Sequence, residues 1–336
     1  MRAVLTTAHG DRSCLRYRDD YPDPVPGPGE VVVRVAATAL NYHDIFTRRG
    51  MPGIRIPLPV VVGSDIAGTV EILGRGVHGW NQGDRVLIDP VYRDGDHVGM
   101  IGEVADGGRA ELVRVPANQL IRVPDGVTLE QAAALPLAYG TAHRMLVTRA
   151  QVGAGERVLV LGASGGVGVA SVQLAKLAGA EVVACAGSEW KLERLRALGA
   201  DHVVNYTETR FLDAVREIYG KPRITGGGGV DLAVNFTGGD TWLDTQKSVT
   251  SGGRIVTCGA TAGYQLTTDA RYLWTFEHTM IGSDGWTPED LITLMDLIAT
   301  GRLDPVVDVV LPLPEVAEGE RMIEDREVFG KILFRP

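Results

Sequence analysis

The segment RVLVLGASGGVGVASVQLAKLAGAEVVACAGSEWK, Arg157 to Lys191, decides the fold. An apolar run, Val158 to Leu161, enters Gly162; Gly165, Gly166 and Gly168 follow, and Val167, Ala170, Leu174 and Leu177 then recur at spacings of three and four. That pattern reads as strand, tight turn and helix, and EVVACA supplies the next strand. Glycines at the turn let a pyrophosphate approach the backbone and let the helix pack close to its strand. The negative charge then sits at the positive end of the helix dipole. A bare glycine pattern is weak, but a strand on each side and a helix between make this one a dinucleotide site.

The end of the second strand bears on which dinucleotide. An acidic side chain about 20 residues after the first glycine usually takes the ribose hydroxyls of NAD. Here Ala186 is followed by Gly187 and Ser188, with Lys191 one helical turn on, a small loop with a hydroxyl and a cation that suits the 2′-phosphate of NADP. Glu189 is the competing feature, since it offers the carboxylate that NAD would use.

The rest of the chain sets the frame. Its 336 residues are about twice the ~150-residue domain norm. Up to about Pro124 the texture is short β-rich runs such as EVVVRVAATAL and GDRVLIDP. From Thr128 it changes to helices alternating with the strands RVLVLG, EVVACA, HVVNY, DLAVNF and RIVTCG. After Gly301 strands return. The expected division is a first domain over 1–124, completed by 301–336, and a cofactor domain over 125–300; no internal repeat is visible.

A net charge of −9 without clustered Lys and Arg argues against nucleic acid. Three scattered cysteines, Cys14, Cys185 and Cys258, form neither a disulfide framework nor a zinc knuckle. No apolar run of membrane-spanning length appears, and the N-terminus has no signal-like core, so the reading is a cytoplasmic protein with no membrane partner. The sequons at Asn205 and Asn235 are then chance matches.

The stretches PGPGEVVVRVAATALNYHDIFTRRG, PVVVGSDIAGTVEILGRGV, AELVRVPANQLIRVPDGVTLEQAAALPLAYGTAH, GGRIVTCGATAG and FGKILF, with the glycine loop, resemble the medium-chain dehydrogenase/reductase superfamily over nearly the whole chain. The resemblance implies an α/β protein: a GroES-like β-rich catalytic domain plus a Rossmann-type doubly wound parallel sheet, assembled as a homodimer or homotetramer. Zinc alcohol dehydrogenases of the superfamily place a Cys-His pair where this chain has Asn41 and Tyr42, and Gly-His-Glu where it has Gly63, Ser64 and Asp65. An amide, a phenol and a short hydroxyl are poor zinc ligands. The four-cysteine lobe of many members is also missing between Asp89 and Leu112, so no metal is expected. His43 reads as a satisfied or half-exposed imidazole, and Asp94, Asp96 and His97 as a solvated loop.

Without a Lewis acid an alkoxide lacks its usual stabiliser. A conjugated alkene needs less, because charge arriving with a hydride spreads onto a carbonyl oxygen that hydrogen-bond donors can hold. NYHD matches the N-aromatic-x-D pattern of the zinc-free quinone oxidoreductase and enoyl reductase branch. The reading is therefore a zinc-independent, NADPH-dependent reductase of an activated C=C bond (enone or enoyl thioester) or a quinone, with a small-molecule substrate. The alternatives are an alcohol dehydrogenase using hydroxyl donors such as Tyr42 and Ser64, or a cofactor-binding protein without turnover.

Carried over residue by residue, the resemblance implies that Asn41 orients the nicotinamide carboxamide or the substrate carbonyl. Tyr42 is a proton donor or a wall of the pocket, and Asp44 braces the loop or does acid–base work. Arg48 and Arg49 are either exposed or meet an anionic substrate tail. Thr141 packs on the nicotinamide half; Ser164, Gly165, Gly166, Val167 and Gly168 hold the pyrophosphate; Ser188, Lys191 and Tyr206 surround the adenosine phosphate. Asn235, Thr237, Cys258, Gly259 and Ala260 fall at strand C-terminal ends, where ligands bind in open α/β sheets. Lys331 matches a position close to the cofactor. The aromatic stretch Arg271 to Trp286 lines the substrate cleft or forms a dimer edge.

Overall fold

The computed structural model describes residues 1–51, 53, 55–92 and 99–336. The chain divides into two compact units, Met1–Ala138 with Leu291–Pro336, and Tyr139–Asp290. Asp94, Asp96 and His97 lie outside the described residues. Among those described, no helix is long and apolar enough to cross a membrane.

In the second unit the glycine-loop segment forms the strand Arg157–Val160, the helix Gly166–Leu177 and the strand Glu181–Ala186. The sheet order is His202–Asn205, Glu181–Ala186, Arg157–Val160, Val230–Val234, Val249–Thr257, Thr279–Gly282, with every pairing parallel. This is the dinucleotide-binding order, reversing beside the strand that feeds the glycine loop. Strands covered on both faces read as continuous apolar runs, as Val158–Leu161 and Val182–Ala186 do, and all of these residues are buried. Gly168 is a steric requirement: a Cβ there would overlap the Gly162 carbonyl oxygen and the Ala163 backbone. The stretch from Arg271 to Trp286 holds all but the first residue of the helix Ala270–Thr275 and then the short, largely exposed edge strand Thr279–Gly282.

The first unit is built on the strand Glu30–Leu40, which pairs antiparallel with Asp65–Leu73, Leu112–Pro116 and Lys331–Arg335. Val31, Val33, Val35, Ile66, Val70, Val86 and Ile88 form its main core. The returning C-terminal strand sets Ile332 opposite Leu40 and Phe334 opposite Thr38. That register delivers Lys331 to the residue after the central strand, Asn41.

The boundaries differ from those the sequence suggests, 124/125 and 300/301. The helix Leu129–Ala133 packs on the strands Glu30–Leu40, Asp65–Leu73 and Arg85–Ile88, and Gln131 Nε2 donates to Asp304 at 2.9 Å, so this stretch belongs to the first unit. Residues from Leu291 onward do so too.

Beneath the helix Tyr42–Arg49 lies a buried charge network. Glu320, fully buried on the helix Val316–Glu324, accepts from Arg48 Nε at 2.5 Å and Arg109 Nη1 at 2.6 Å. Arg109 Nη2 lies 3.4 Å from Asp44, and Arg48 also reaches Glu324 at 2.7 Å. Arg48 is therefore an internal clamp and is held away from any substrate tail. Arg49 also donates to Glu324, at 2.5 Å. Two guanidiniums left facing a neutral partner would be costly, because removing one member of a buried ion pair costs about 3–5 kcal/mol. Glu320→Gln is expected to lower unfolding free energy by that amount, read as a shift in the urea midpoint at unchanged slope; a loss below about 1 kcal/mol would show that Arg48 and Arg109 do not depend on the Glu320 charge.

Candidate active site

The helix Tyr42–Arg49 begins where the central strand of the first unit ends, and Asn41 caps it in an extended conformation (φ −122°, ψ 153°). Asp44, one turn in, accepts the Asn41 backbone N–H at 3.0 Å. Burial raises the Asp44 carboxyl above its usual range, outweighing Arg109 and the Asn41 N–H, which pull it down. Asp44 is 2% exposed, so it braces the turn rather than meeting substrate.

The Asn41 side chain is held from the other side. Lys331, 2% exposed, donates to Asn41 Oδ1, to the Leu40 carbonyl at 3.0 Å and to Asp65 Oδ2 at 3.4 Å. An ammonium has three donors and no acceptor, so all three are used here, and the Asn41 end that faces it must be the oxygen. The Asn41 amide nitrogen then points elsewhere, and it is buried without a protein partner. An orphaned buried donor is what a carbonyl or carboxamide ligand would satisfy. Lys331 thus acts on Asn41, with no donor left for the cofactor contact that the family resemblance implies.

Tyr42 is 36% exposed and its ring meets Phe46 edge-on, with centroids 4.9 Å apart. Ser64 is 2% exposed with its hydroxyl toward Asp65 at 3.4 Å, turned into the protein as part of the bracing. His43 Nε2 is hydrogen-bonded to Glu103, itself 5% exposed and accepting the Met100 N–H at 3.2 Å. Burial pulls the His43 imidazole down, but the Glu103 hydrogen bond and charge, with Asp44 and Asp65 adding to the field, outweigh it and leave its pKa raised. Glu103 reaches this place because its loop lies on the turn at Gly63: a Cβ on Gly102 would come within 2.8 Å of the Gly63 nitrogen. Among the described residues no three His, Cys, Asp or Glu are grouped so as to hold a metal ion.

Sequence reasoning missed Glu103, Arg109, Glu320 and the pairing of Asp65 with Lys331. Glu320 left a signal, standing four residues after the buried Val316 on the inner face of its helix.

In the second unit, the first helical N–H with an intrahelical partner is that of Val169, bonded to the Gly165 carbonyl at 2.9 Å. The N–H groups of Gly166, Val167 and Gly168 are left at the helix start, as at any helix N-terminus. Gly165 is exposed, and a Cβ there would find only the Gly162 oxygen, at 3.7 Å. This open, donor-lined turn fits a pyrophosphate, with Ser164 half-buried beside it.

Gly187, Ser188 and Tyr206 are brought together: a Cβ on Gly187 would lie 2.6 Å from the Tyr206 hydroxyl. Lys191, in the first turn of the next helix, is 6% exposed, with its ammonium 5.2 Å from the Trp190 ring centroid. Glu189, the residue that would favour NAD, is 2.8 Å from Arg196 along its own helix.

Asn235 is fully buried and satisfied: its oxygen accepts from Thr237 N and Gly238 N, and its nitrogen donates to Thr241 and Thr245. Its side chain shapes the turn and is not available to a cofactor. Thr237, half-buried, accepts the Ala262 N–H at 2.8 Å, and Ala260 is likewise half-buried. Cys258 and Gly259 line a cavity of about 500 Å³ with Arg144, Arg149, Ser283 and Asp284. Burial pushes the Cys258 thiol up to about 12, which disfavours the thiolate. Thr141, 7% exposed, opens a short helix in the same unit.

Residues 27–125 match the alcohol dehydrogenase GroES-like domain, and residues 166–300 match the zinc-binding dehydrogenase domain. An acryloyl-coenzyme A reductase of Sulfurisphaera tokodaii is 31% identical over 95% of this chain and 96% of its own. Among solved structures, an NAD-dependent alcohol dehydrogenase superposes with TM-score 0.92 at 39% identity, covering 100% of both chains. A 2-octenoyl-CoA carboxylase reductase, CinF, in complex with NADP and 2-octenoyl-CoA does so with TM-score 0.87 at 31% identity, over 99% of this chain and 87% of that one. With its glycine loop, its strand order and its capped N-Y-H-D turn, the chain belongs to the medium-chain dehydrogenase/reductase superfamily, with a GroES-like domain and a Rossmann-like parallel sheet.

Proposed function

We propose that this protein is a zinc-independent, NADPH-dependent reductase of an activated C=C bond, with an enoyl thioester as the preferred acceptor class and an enone or a quinone as the alternatives. The observation that carries the reading is the orphaned Asn41 amide nitrogen, buried at a helix start and locked in orientation by Lys331. An amide N–H is a neutral donor, adequate for the delocalised charge of a reduced enone and much weaker than a Lewis acid for a full alkoxide. The names of the acryloyl-coenzyme A reductase and CinF relatives agree with this acceptor class.

Bound at the glycine loop, reduced nicotinamide dinucleotide supplies the hydride. Gly166, Val167 and Gly168 offer N–H groups to its pyrophosphate, and Ser188, Lys191 and Tyr206 offer a hydroxyl, a cation and a phenol to a 2′-phosphate. The Ser188, Lys191 and Tyr206 set supports NADPH over NADH, with Glu189 turned to Arg196 in an exposed pair on its own helix. Asn41 donates to the acceptor carbonyl or the carboxamide, Asp44 and Lys331 position it, and Tyr42 forms pocket wall. A homodimer or homotetramer completes the proposal.

One specific observation favours a second reading, oxidation of alcohols with NAD: the 39% identity to a solved NAD-dependent alcohol dehydrogenase. The buried, inward-facing Ser64 argues against it, because it removes one of the hydroxyls that would stand in for a metal.

The deciding assay compares NADPH and NADH oxidation with enoyl thioesters, enones and quinones against NAD(P)⁺ reduction with alcohols. Turnover with alcohols alone defeats the proposal, whereas NADPH oxidation by an enoyl thioester supports it. Lys331→Met frees the Asn41 amide to rotate, and a misplaced group costs about 10²-fold. The expected result is a loss of kcat of more than tenfold with the NADPH dissociation constant within about threefold of wild type. Equal losses in both, measured by stopped-flow and fluorescence titration, would show that Lys331 serves binding instead.

A further inference from the structure

Reduction of a C=C bond needs a proton as well as a hydride, and Asn41 cannot supply one, because an amide does not release its proton near neutral pH. Tyr42 is the obvious donor by residue type. Its neighbour is the better-equipped one. His43 occupies the first turn of the helix that Asn41 caps, two residues after it. Its side chain is 29% exposed, enough to exchange protons with solvent, and its Nε2 is bonded to Glu103, whose own side chain is only 6% exposed. Glu103 is in turn fixed by the Met100 N–H and by the packing of its loop on Gly63. A buried carboxylate fixed on one ring nitrogen sets the orientation of an imidazole and stabilises its charged form. Among the described residues, the charged groups that act most on the ring are Glu103, Asp44 and Asp65, all acidic, and Asp65 is the same carboxylate that takes Lys331. His43 and the Asn41–Lys331–Asp65 group thus share one electrostatic neighbourhood.

Resting on the reductase reading above, we infer that His43, held by Glu103, is the acid that protonates the α-carbon of the reduced acceptor. As the hydride from the reduced nicotinamide forms the C–H bond at the β-carbon, the π pair moves toward the α-carbon and carbonyl. The imidazolium Nδ1–H then breaks, its proton forms the α-carbon C–H bond, and neutral His43 remains with Nε2–H on Glu103. Solvent restores the proton at the half-exposed ring. The acceptor gains two electrons and two hydrogens, the nicotinamide is oxidised, and charge balances. The upward shift of the His43 pKa agrees with this role, because the Glu103 hydrogen bond and charge favour the protonated ring.

The test has two readouts. In the cofactor-free enzyme, NMR of the His43 ring protons should give a titration midpoint above that of a free histidine, and Glu103→Gln should lower it. With an enoyl thioester, kcat should fall along an alkaline limb at that midpoint. His43→Gln should remove the limb and lower kcat about 10²–10⁴-fold, the usual worth of a general acid, with the NADPH dissociation constant unchanged. Glu103→Gln should move the limb to lower pH, and Tyr42→Phe should leave it in place. A limb that survives His43→Gln, a limb lost in Tyr42→Phe, or a ring that titrates no higher than free histidine overturns the assignment. Wild-type enzyme that oxidises NADPH with no acceptor overturns the reductase reading and this inference with it; turnover by wild type with kcat in His43→Gln within threefold overturns the inference alone.

Discussion

An ammonium group enclosed by protein must find acceptors for each of its donors, since an unpaired buried charge costs several kcal/mol. Lys331 meets that demand with Leu40, Asn41 and Asp65, and the solution has consequences at each partner. It joins the last strand of the chain to the end of the central strand of the first unit. It neutralises a carboxylate beside the first helix. It also settles which end of the Asn41 amide faces inward, an orientation otherwise nearly degenerate in shape and size. The catalytic proposal follows from that last effect: a donor that is buried, directed and unsatisfied.

The same logic recurs one layer deeper. Arg48 and Arg109 share Glu320, and Asp44 closes the group below the helix that carries Asn41, Tyr42 and His43. Such clusters are poor sources of net stability, because desolvation offsets most of the Coulomb attraction. Their contribution is geometric: a short helix after a strand is fixed from beneath by paired buried charges. Asp44 illustrates the distinction between a conspicuous acid and a reactive one. It lies in the N-Y-H-D turn, yet its carboxylate faces the Asn41 N–H and Arg109 inside the protein.

Much of the fold was legible in the sequence because local patterns carry it. The run from Val158 to Ala186 contains strand, turn, helix and strand within one continuous segment, and Gly168 marks the close approach that the fold requires there. The edge strand Thr279–Gly282 was hidden because it is short and exposed, with Met280 showing 36% of its surface, and so has no buried apolar run. At the candidate site the residues contiguous in sequence, Asn41 to Asp44, were legible, but their partners were not. Glu103 lies 60 positions from His43 and Glu320 lies 272 from Arg48, and no periodicity connects such distances. Asn235 shows the converse, a residue at a strand end, where ligands commonly bind, that is consumed by its own turn.

The central claim is that polarisation of the acceptor is the task of a positioned amide and that the delocalised acceptor itself supplies the rest. Metal analysis of active enzyme tests this most directly. Purified protein that turns over an enoyl thioester should contain well under one transition ion per subunit and keep its kcat after exhaustive chelation. One tightly held zinc per subunit, whose removal abolishes turnover and whose return restores it, would contradict the account.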